Sequence, residues 1–219
     1  MELGFVGLGR MGGHMVARLT AGGHRVVAHD RAPEAARRAE AGGVRVAASL
    51  RDLAAALTPP RVVWVMVPAG APTESTVQGL AEVLAPGDTV VDGGNTRWTD
   101  DVRRARELGA RGLRYVDAGT SGGVWGLTHG YCLMVGGERD AVQALAPVFT
   151  TLAPPDGWLH VGAAGSGHYV KMVHNGVEYA LMQSYAEGFE LMSASEYGLD
   201  LPAIARLWTR GSVVRSWLL

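Results

Sequence analysis

Apolar and polar positions divide the first 160 residues into alternating short strands and helices. Residues 2–6 form a short apolar run. A helical pattern follows, with Met15, Val16 and Leu19 inward and Gly22-Gly23 as its stop. A second strand is expected at residues 25–29, closing on Asp30; Pro33 marks the next helix start and Gly42-Gly43 its end. Residues 61–67 are unbroken and β-branched, the pattern of a strand covered on both faces. Residues 89–91 run into Asp92-Gly-Gly-Asn95, and 113–116 run into Asp117-Ala-Gly-Thr-Ser-Gly-Gly123. Residues 131–135 read as a buried strand, which makes Cys132 a core residue. The alternation predicts an α/β fold, a Rossmann-type doubly wound parallel sheet, with ligands where strands end.

At residues 164–183 the period becomes that of one long helix. Lys171, His174, Asn175 and Glu178, at offsets of three, four and seven, share a face at about 100° per residue. Such residues ordinarily form a solvated face with weak side-chain pairing. Here Val170, Met172, Val173, Val177, Ala180 and Leu181 leave the helix too apolar to be freely solvated. Amine, imidazole, amide and carboxylate therefore read as a face equipped for proton transfer. The last residues, 207–219, are apolar within another helical pattern whose apolar face would lack partners, so a truncated all-α segment is expected. The expected division is 1–163 for the Rossmann-type domain and 164–219 for the helical segment.

Composition narrows the class without choosing within it. The chain has 219 residues, 47% hydrophobic and 19% charged, enough for one α/β domain and a smaller piece. A net charge of -1 with scattered basic residues argues against nucleic acid, and no apolar run is long enough to span a bilayer. A strand beginning at Glu2 leaves no room for a signal peptide, and a single cysteine suits a reducing cytoplasm. A cytoplasmic enzyme or binding protein for a small molecule is expected.

Gly7, Gly9 and Gly12 fit G-x-G-x-x-G. The first allows a tight turn, the second lets backbone approach a pyrophosphate, and the third packs helix on strand. Among 31 glycines a bare match means little; its place between strand and helix, eighteen residues ahead of Asp30, makes it a dinucleotide signature. A carboxylate at Asp30 accepts from a ribose 2′-hydroxyl and repels a 2′-phosphate, which favours NAD over NADP, although Arg31 could pair with that phosphate. Pro68-Ala-Gly70, Asn95 and Ser121-Gly-Gly123 follow strands and offer close backbone approach, an amide and a carboxylate cradle. Taken singly, each is an ordinary turn. Trp125 is either a pocket wall or packing. His14, His24, His29, His160 and His168 lack metal-ligand spacing and read as surface or capping residues; no metal site is expected.

Gly7-Leu-Gly-Arg-Met-Gly12, Asp92-Gly-Gly-Asn-Thr96, Asp117-Ala-Gly-Thr-Ser-Gly-Gly-Val-Trp-Gly126 and Gly167-His-Tyr-Val-Lys-Met-Val-His-Asn-Gly-Val-Glu-Tyr179 resemble the decarboxylating 6-phosphogluconate dehydrogenases, nearest their shorter, often NAD-preferring branch. The wider β-hydroxyacid dehydrogenase family shares the first motif, the Ser-Gly-Gly loop and the helix lysine, but not the His-Asn-Gly-x-Glu-Tyr continuation. The resemblance implies oxidation of 6-phosphogluconate followed by loss of carbon dioxide. Lys171 matches the general base, a role that needs a neutral amine, and Glu178 the acid that protonates C1 of the enediol. Cofactor positions are Gly7, Leu8, Gly9, Arg10, Met11, Gly12, Asp30, Arg31, Ala32, Pro68, Ala69, Gly70 and Asn95. Substrate positions are Asn95, Ser121, Gly122, Gly123, His174 and Asn175, with Tyr179 near the sugar phosphate and Arg215 either there or at the surface. NADP-using relatives carry a neutral residue, Arg and a hydroxyl residue where this chain has Asp30, Arg31 and Ala32. The resemblance further implies a homodimer or homotetramer. Two alternatives stand beside it: a non-decarboxylating 3-hydroxyacid dehydrogenase, and a dinucleotide-binding module without catalysis.

Overall fold

The computed structural model describes residues 1–219, apart from the side chain of Val124. The elements in order are β1 (Glu2–Val6), α1 (Arg10–Ala21), β2 (Arg25–His29), α2 (Pro33–Ala41), β3 (Arg45–Val46), α3 (Leu50–Ala55), β4 (Val62–Val65) and α4 (Ala71–Ala81). Then come β5 (Thr89–Asp92), α5 (Trp98–Gly109), β6 (Arg114–Ser121), α6 (Gly126–His129), β7 (Cys132–Gly137), α7 (Arg139–Ala144), α8 (Ala146–Leu152), β8 (Trp158–Gly162), α9 (Ser166–Ser193) and α10 (Leu201–Trp208). Contacts divide the chain into two compact units, Met1–Lys171 and Met172–Leu219.

In the first unit the described strands form one sheet in the order β3-β2-β1-β4-β5-β6-β7-β8. Strands β1 to β6 run parallel, and β7 is antiparallel to β6 and parallel to β8. The expected doubly wound sheet is present, with this one reversal added. Alternation along each strand feeds two cores, one per face. Phe5, Ala28, Trp64 and Val91 point into one, Val6, Val27, Val65 and Val90 into the other. Trp64 is fully buried, stacked on Phe5 at 6.1 Å and edge-on to Phe149 at 6.2 Å.

Two expectations need correction. The run 117–121, expected to leave its strand as a loop, continues β6 because β7 pairs with it from Val116↔Gly137 to Ser121↔Cys132. Cys132 is exposed rather than core, since it opens β7 at the sheet's end, and the buried neighbour is Tyr131.

In the second unit, Asp200 caps α10 by accepting from Ala203 N–H at 2.9 Å, and Phe189 of α9 meets Trp208 at 5.5 Å. No helix among the described residues is long and apolar enough to cross a membrane.

Trp64→Ala should lower stability by about 3–5 kcal/mol through loss of a buried aromatic and the cavity left behind. Denaturant melts check this, and an unchanged midpoint would remove Trp64 from the core account.

Candidate active site

Strand register sets the site before any side chain does. Val6, Val65, Asp92 and Asp117 lie side by side across β1, β4, β5 and β6. The loop at Gly7, the turn at Pro68-Ala-Gly70 and Asn95 therefore leave one carboxyl edge, and β6 carries on past it to Ser121. Thr73 braces the second loop by donating to Pro68 O at 2.9 Å. Asp92 braces the third by accepting from Gly94 N–H at 3.0 Å.

The first loop fits a dinucleotide. Gly7 holds φ +99°, and a Cβ there would lie 2.3 Å from Met66 O. A Cβ on Gly12 would lie 2.0 Å from Gly7 O, whereas one on Gly9 would meet nothing within 4 Å. Loop and helix thus lock together around an open central glycine. Gly9 precedes α1 with no side-chain cap, so the first-turn N–H groups and helix dipole suit a pyrophosphate. Asp30 Oδ2 accepts from Leu8 N–H at 2.5 Å and Oδ1 from Ala32 N–H at 2.7 Å. Each oxygen retains a lone pair for a ribose hydroxyl. Arg10, Arg31, Ala32 and the turn 68–70 are exposed around this seat, with Met11 half-buried.

Lys171 is held by backbone approach. A Cβ on Gly119 of β6 would stand 2.6 Å from Lys171 Cβ and 2.7 Å from Gly167 O. One on Gly167 would stand 2.4 Å from Met134 O, and one on Gly136 2.5 Å from Asp117 Oδ1. Three missing side chains let the start of α9 rest directly on β6 and β7. Asp117 fixes it there, accepting from Gly165 N–H at 2.7 Å and His168 N–H at 2.9 Å. Lys171 is 8% exposed. It is also the chain's one lysine, for the other nineteen of the 20 Lys plus Arg residues are arginines. Arginine does not deprotonate in proteins, whereas a desolvated lysine does. Lysine thus stands only at the position assigned to a base, a signal present in the sequence but invisible in its summed charge.

Beneath this seat lies a buried polar cluster that motif reading missed. His168 is 2% exposed, with Nδ1 2.8 Å from Asp101 Oδ2. This corrects the expectation of a surface or capping histidine. Asp101 Oδ1 accepts from Tyr115 Oη at 2.7 Å, with Asp92 Oδ2 3.2 Å from that hydroxyl. Arg104 reaches Asp92 at 3.3 Å, Asp101 at 3.8 Å and Glu74 at 3.0 Å. Asp92, Asp101 and His168 place ligand-type atoms within 4.8 Å of one another, as a metal site would. Their charge is already balanced by Arg104 and the imidazole, so the donor set is that of an internal ion-pair network. Burial alone would push His168 down, but its bond to Asp101 and the charges of Asp101, Asp92 and Asp117 outweigh that and hold it at about 9. Burial also pushes the Asp101 carboxyl up. Glu74 is held at about 2, chiefly by its bond to Arg103, with Arg104 adding to it.

Of the other histidines expected at the surface or as caps, His14, His29 and His160 are half-buried and His24 departs from expectation. His24 is buried with Nε2 2.8 Å from Thr151 Oγ1, while His29 and His160 bond Ala47 O and Gly137 O, each at 2.9 Å. Trp125 is 61% exposed and meets His129 edge-on at 6.3 Å, so it packs on a local ring and stays outside the core.

Within the second unit His174 Nδ1 lies 3.7 Å from Glu178 Oε2 and 3.4 Å from Asn175 Oδ1. The burial pattern of α9 inverts the usual one. Lys171 is buried and His174, Asn175 and Glu178 half-buried, while Met172, Val173, Val177 and Tyr179 are exposed. The polar positions are the sheltered ones.

The chain is similar to known proteins along its whole length. The family model described as the NAD binding domain of 6-phosphogluconate dehydrogenase matches residues 2–165, and that of the same enzyme's C-terminal domain matches 167–196. An NAD(+)-dependent, decarboxylating 6-phosphogluconate dehydrogenase of Haloferax volcanii is 50% identical across the whole chain, which covers 73% of that protein. The decarboxylating enzyme of Escherichia coli is 37% identical over 91% of this chain and 44% of its own. Among solved structures, a Mycobacterium tuberculosis 3-hydroxyisobutyrate dehydrogenase superposes with TM-score 0.86 at 30% identity, over the whole chain and 72% of its own. A Plasmodium falciparum 6-phosphogluconate dehydrogenase gives 0.87 at 26%, over 96% of this chain and 48% of its own.

The raised His168 has a stability consequence. Its contribution is fully present below the ordinary histidine value of 6.5 and is lost as pH rises through about 9. The melting temperature should therefore fall between those values, and His168→Gln should flatten that fall. Equal slopes in both proteins would show that the histidine is not charged in the fold.

Proposed function

The chain belongs to the 6-phosphogluconate dehydrogenase family, and we propose that it oxidises and decarboxylates 6-phosphogluconate to ribulose 5-phosphate with NAD as the acceptor. The observation that carries this reading is a lone lysine, buried against Gly119, on the helix that continues into His174, Asn175 and Glu178.

NAD(P) would be held by the Gly7 to Gly12 loop and Asp30, and would supply the hydride acceptor. Lys171 takes the proton of the C3 hydroxyl as the C3 hydrogen leaves as hydride. The product is a 3-keto acid. Lys171, now an ammonium, donates to the new carbonyl oxygen and stabilises negative charge there. The bond to the carboxylate carbon then breaks, carbon dioxide leaves, and the electron pair flows toward that oxygen to give an enediol. Glu178, in its acid form, donates a proton to the carbon that lost the carboxylate, C1 of ribulose 5-phosphate, while Lys171 takes the proton of the adjacent enediol hydroxyl and the C2 ketone forms. Asn95, Ser121, Gly122, Gly123, His174 and Asn175 orient carboxylate and hydroxyls through amide, hydroxyl, imidazole and backbone N–H groups, and Tyr179 meets the sugar phosphate. The preference for NAD rests on Asp30, whose carboxylate, fixed by Leu8 and Ala32, would repel a 2′-phosphate. The assembly is read as a homodimer or homotetramer, for which the exposed Met172, Val173 and Val177 offer apolar surface.

The likeness to 3-hydroxyisobutyrate dehydrogenase supports a second reading, oxidation without loss of carbon dioxide. The leading reading predicts equal yields of NADH and carbon dioxide from 6-phosphogluconate; NADH alone would favour the second.

Lys171→Met should lower kcat by at least about 100-fold and leave NAD affinity within about twofold, since this side chain does not serve the pyrophosphate. Near-normal turnover would remove Lys171 as base. Asp30→Ser should raise kcat/KM with NADP relative to NAD by about tenfold or more, the effect of removing one carboxylate beside a phosphate. An unchanged ratio would place the selectivity elsewhere.

A further inference from the structure

We propose that the buried His168–Asp101 pair is a positioning element for Lys171, pinning the first turn of α9 to α5 and through it to the loop that carries Asn95. The proposal rests on the reading of Lys171 as the base. His168 stands three residues before Lys171, just under one helical turn. Its ring is 2.8 Å from Asp101 of α5, and neither side chain is more than 1% exposed. From Asp101 the contacts run on through Tyr115 Oη at 2.7 Å to Asp92 at 3.2 Å, and from Asp92 to Gly94 N–H at 3.0 Å, next to Asn95. One unbroken polar path thus joins the backbone beside Asn95 to the turn that presents Lys171. On the same junction Trp98 of α5 meets Tyr169 of α9 edge-on at 5.6 Å.

Stability alone does not explain ions at this place. Burying a charged pair carries a desolvation penalty that an apolar pair of like volume avoids, often with equal or better stability. What the pair adds is direction. Imidazole and carboxylate meet in one geometry, whereas apolar side chains tolerate sliding. A general base gains from such fixing, because a misplacement of about 1 Å lowers rates by about 100-fold. The charged groups acting on His168 are Asp101 of α5, Asp92 of β5 and Asp117 of β6, with Arg104 and Tyr115 in turn reaching Asp101. Loss of the imidazole proton at alkaline pH would weaken the pin.

Because the chain has one lysine, lysine-selective isotope labelling yields a single side-chain NMR signal, that of Lys171. The test compares the full chain with His168→Gln, Asp101→Asn and the apolar double variant Asp101→Leu with His168→Met. In folded variants that bind NAD within about twofold, the Lys171 signal should broaden or move toward that of a free lysine. kcat for 6-phosphogluconate should fall about 10- to 100-fold with KM changed less than about threefold. The double variant is the decisive arm. It should melt like the wild type and still show the displaced signal and low kcat. Wild-type signal and kcat in that variant would overturn the proposal, as would an unchanged signal in both single variants. A responsive Lys171 signal in a chain that does not turn over 6-phosphogluconate would uphold the positioning role and reject the substrate instead.

Discussion

The amine proposed as the base has to be kept out of water and held still, and both conditions would follow from how closely α9 approaches β6. Gly119, Gly136 and Gly167 lack the side chains that would hold helix and sheet apart. Asp117 then accepts two N–H groups from the start of α9, turning a strand-end carboxylate into the cap of the next element. Lys171 is buried because of this contact. Its place relative to Asn95 and Ser121 follows from the register of β5 and β6.

The parallel sheet explains how the proposed cofactor and substrate groups, distant along the chain, come to one edge. Neighbouring strands deliver the Gly7 loop, the turn at Pro68 and the Asn95 loop to one edge without long-range side-chain contacts. The reversal at β7 does something different. By pairing with 117–121 it stiffens the backbone that ends in Ser121-Gly-Gly123, so the segment suited to a carboxylate stands on a paired strand.

Much of this was legible in the residues, for physical reasons that also mark the limits. Gly7, Gly9, Gly12 and Asp30 form a local pattern, and each sits where the pattern places it. The strands at residues 2–6 and 25–29 are short apolar runs beside glycines, too short for a helix. The reversal at β7 left no trace, since Asp117-Ala-Gly-Thr-Ser121 is as small and polar as a loop and becomes a strand only by finding a partner. Cys132 misled because one strand end looks like its buried middle. His168 and Asp101 lie 67 residues apart, and nothing local marks either as half of a pair. The absence of lysine elsewhere was also readable, and it sets Lys171 apart from positions where any positive charge would serve.

The most direct measurement is a crystal structure of the chain with 6-phosphogluconate and NAD bound. The account predicts Lys171 Nζ within hydrogen-bond reach of the C3 hydroxyl oxygen, about 2.6–3.2 Å, with Glu178 on the carbon that loses its carboxylate. A substrate bound with C3 away from Lys171, or an amine turned to bulk solvent, would contradict it.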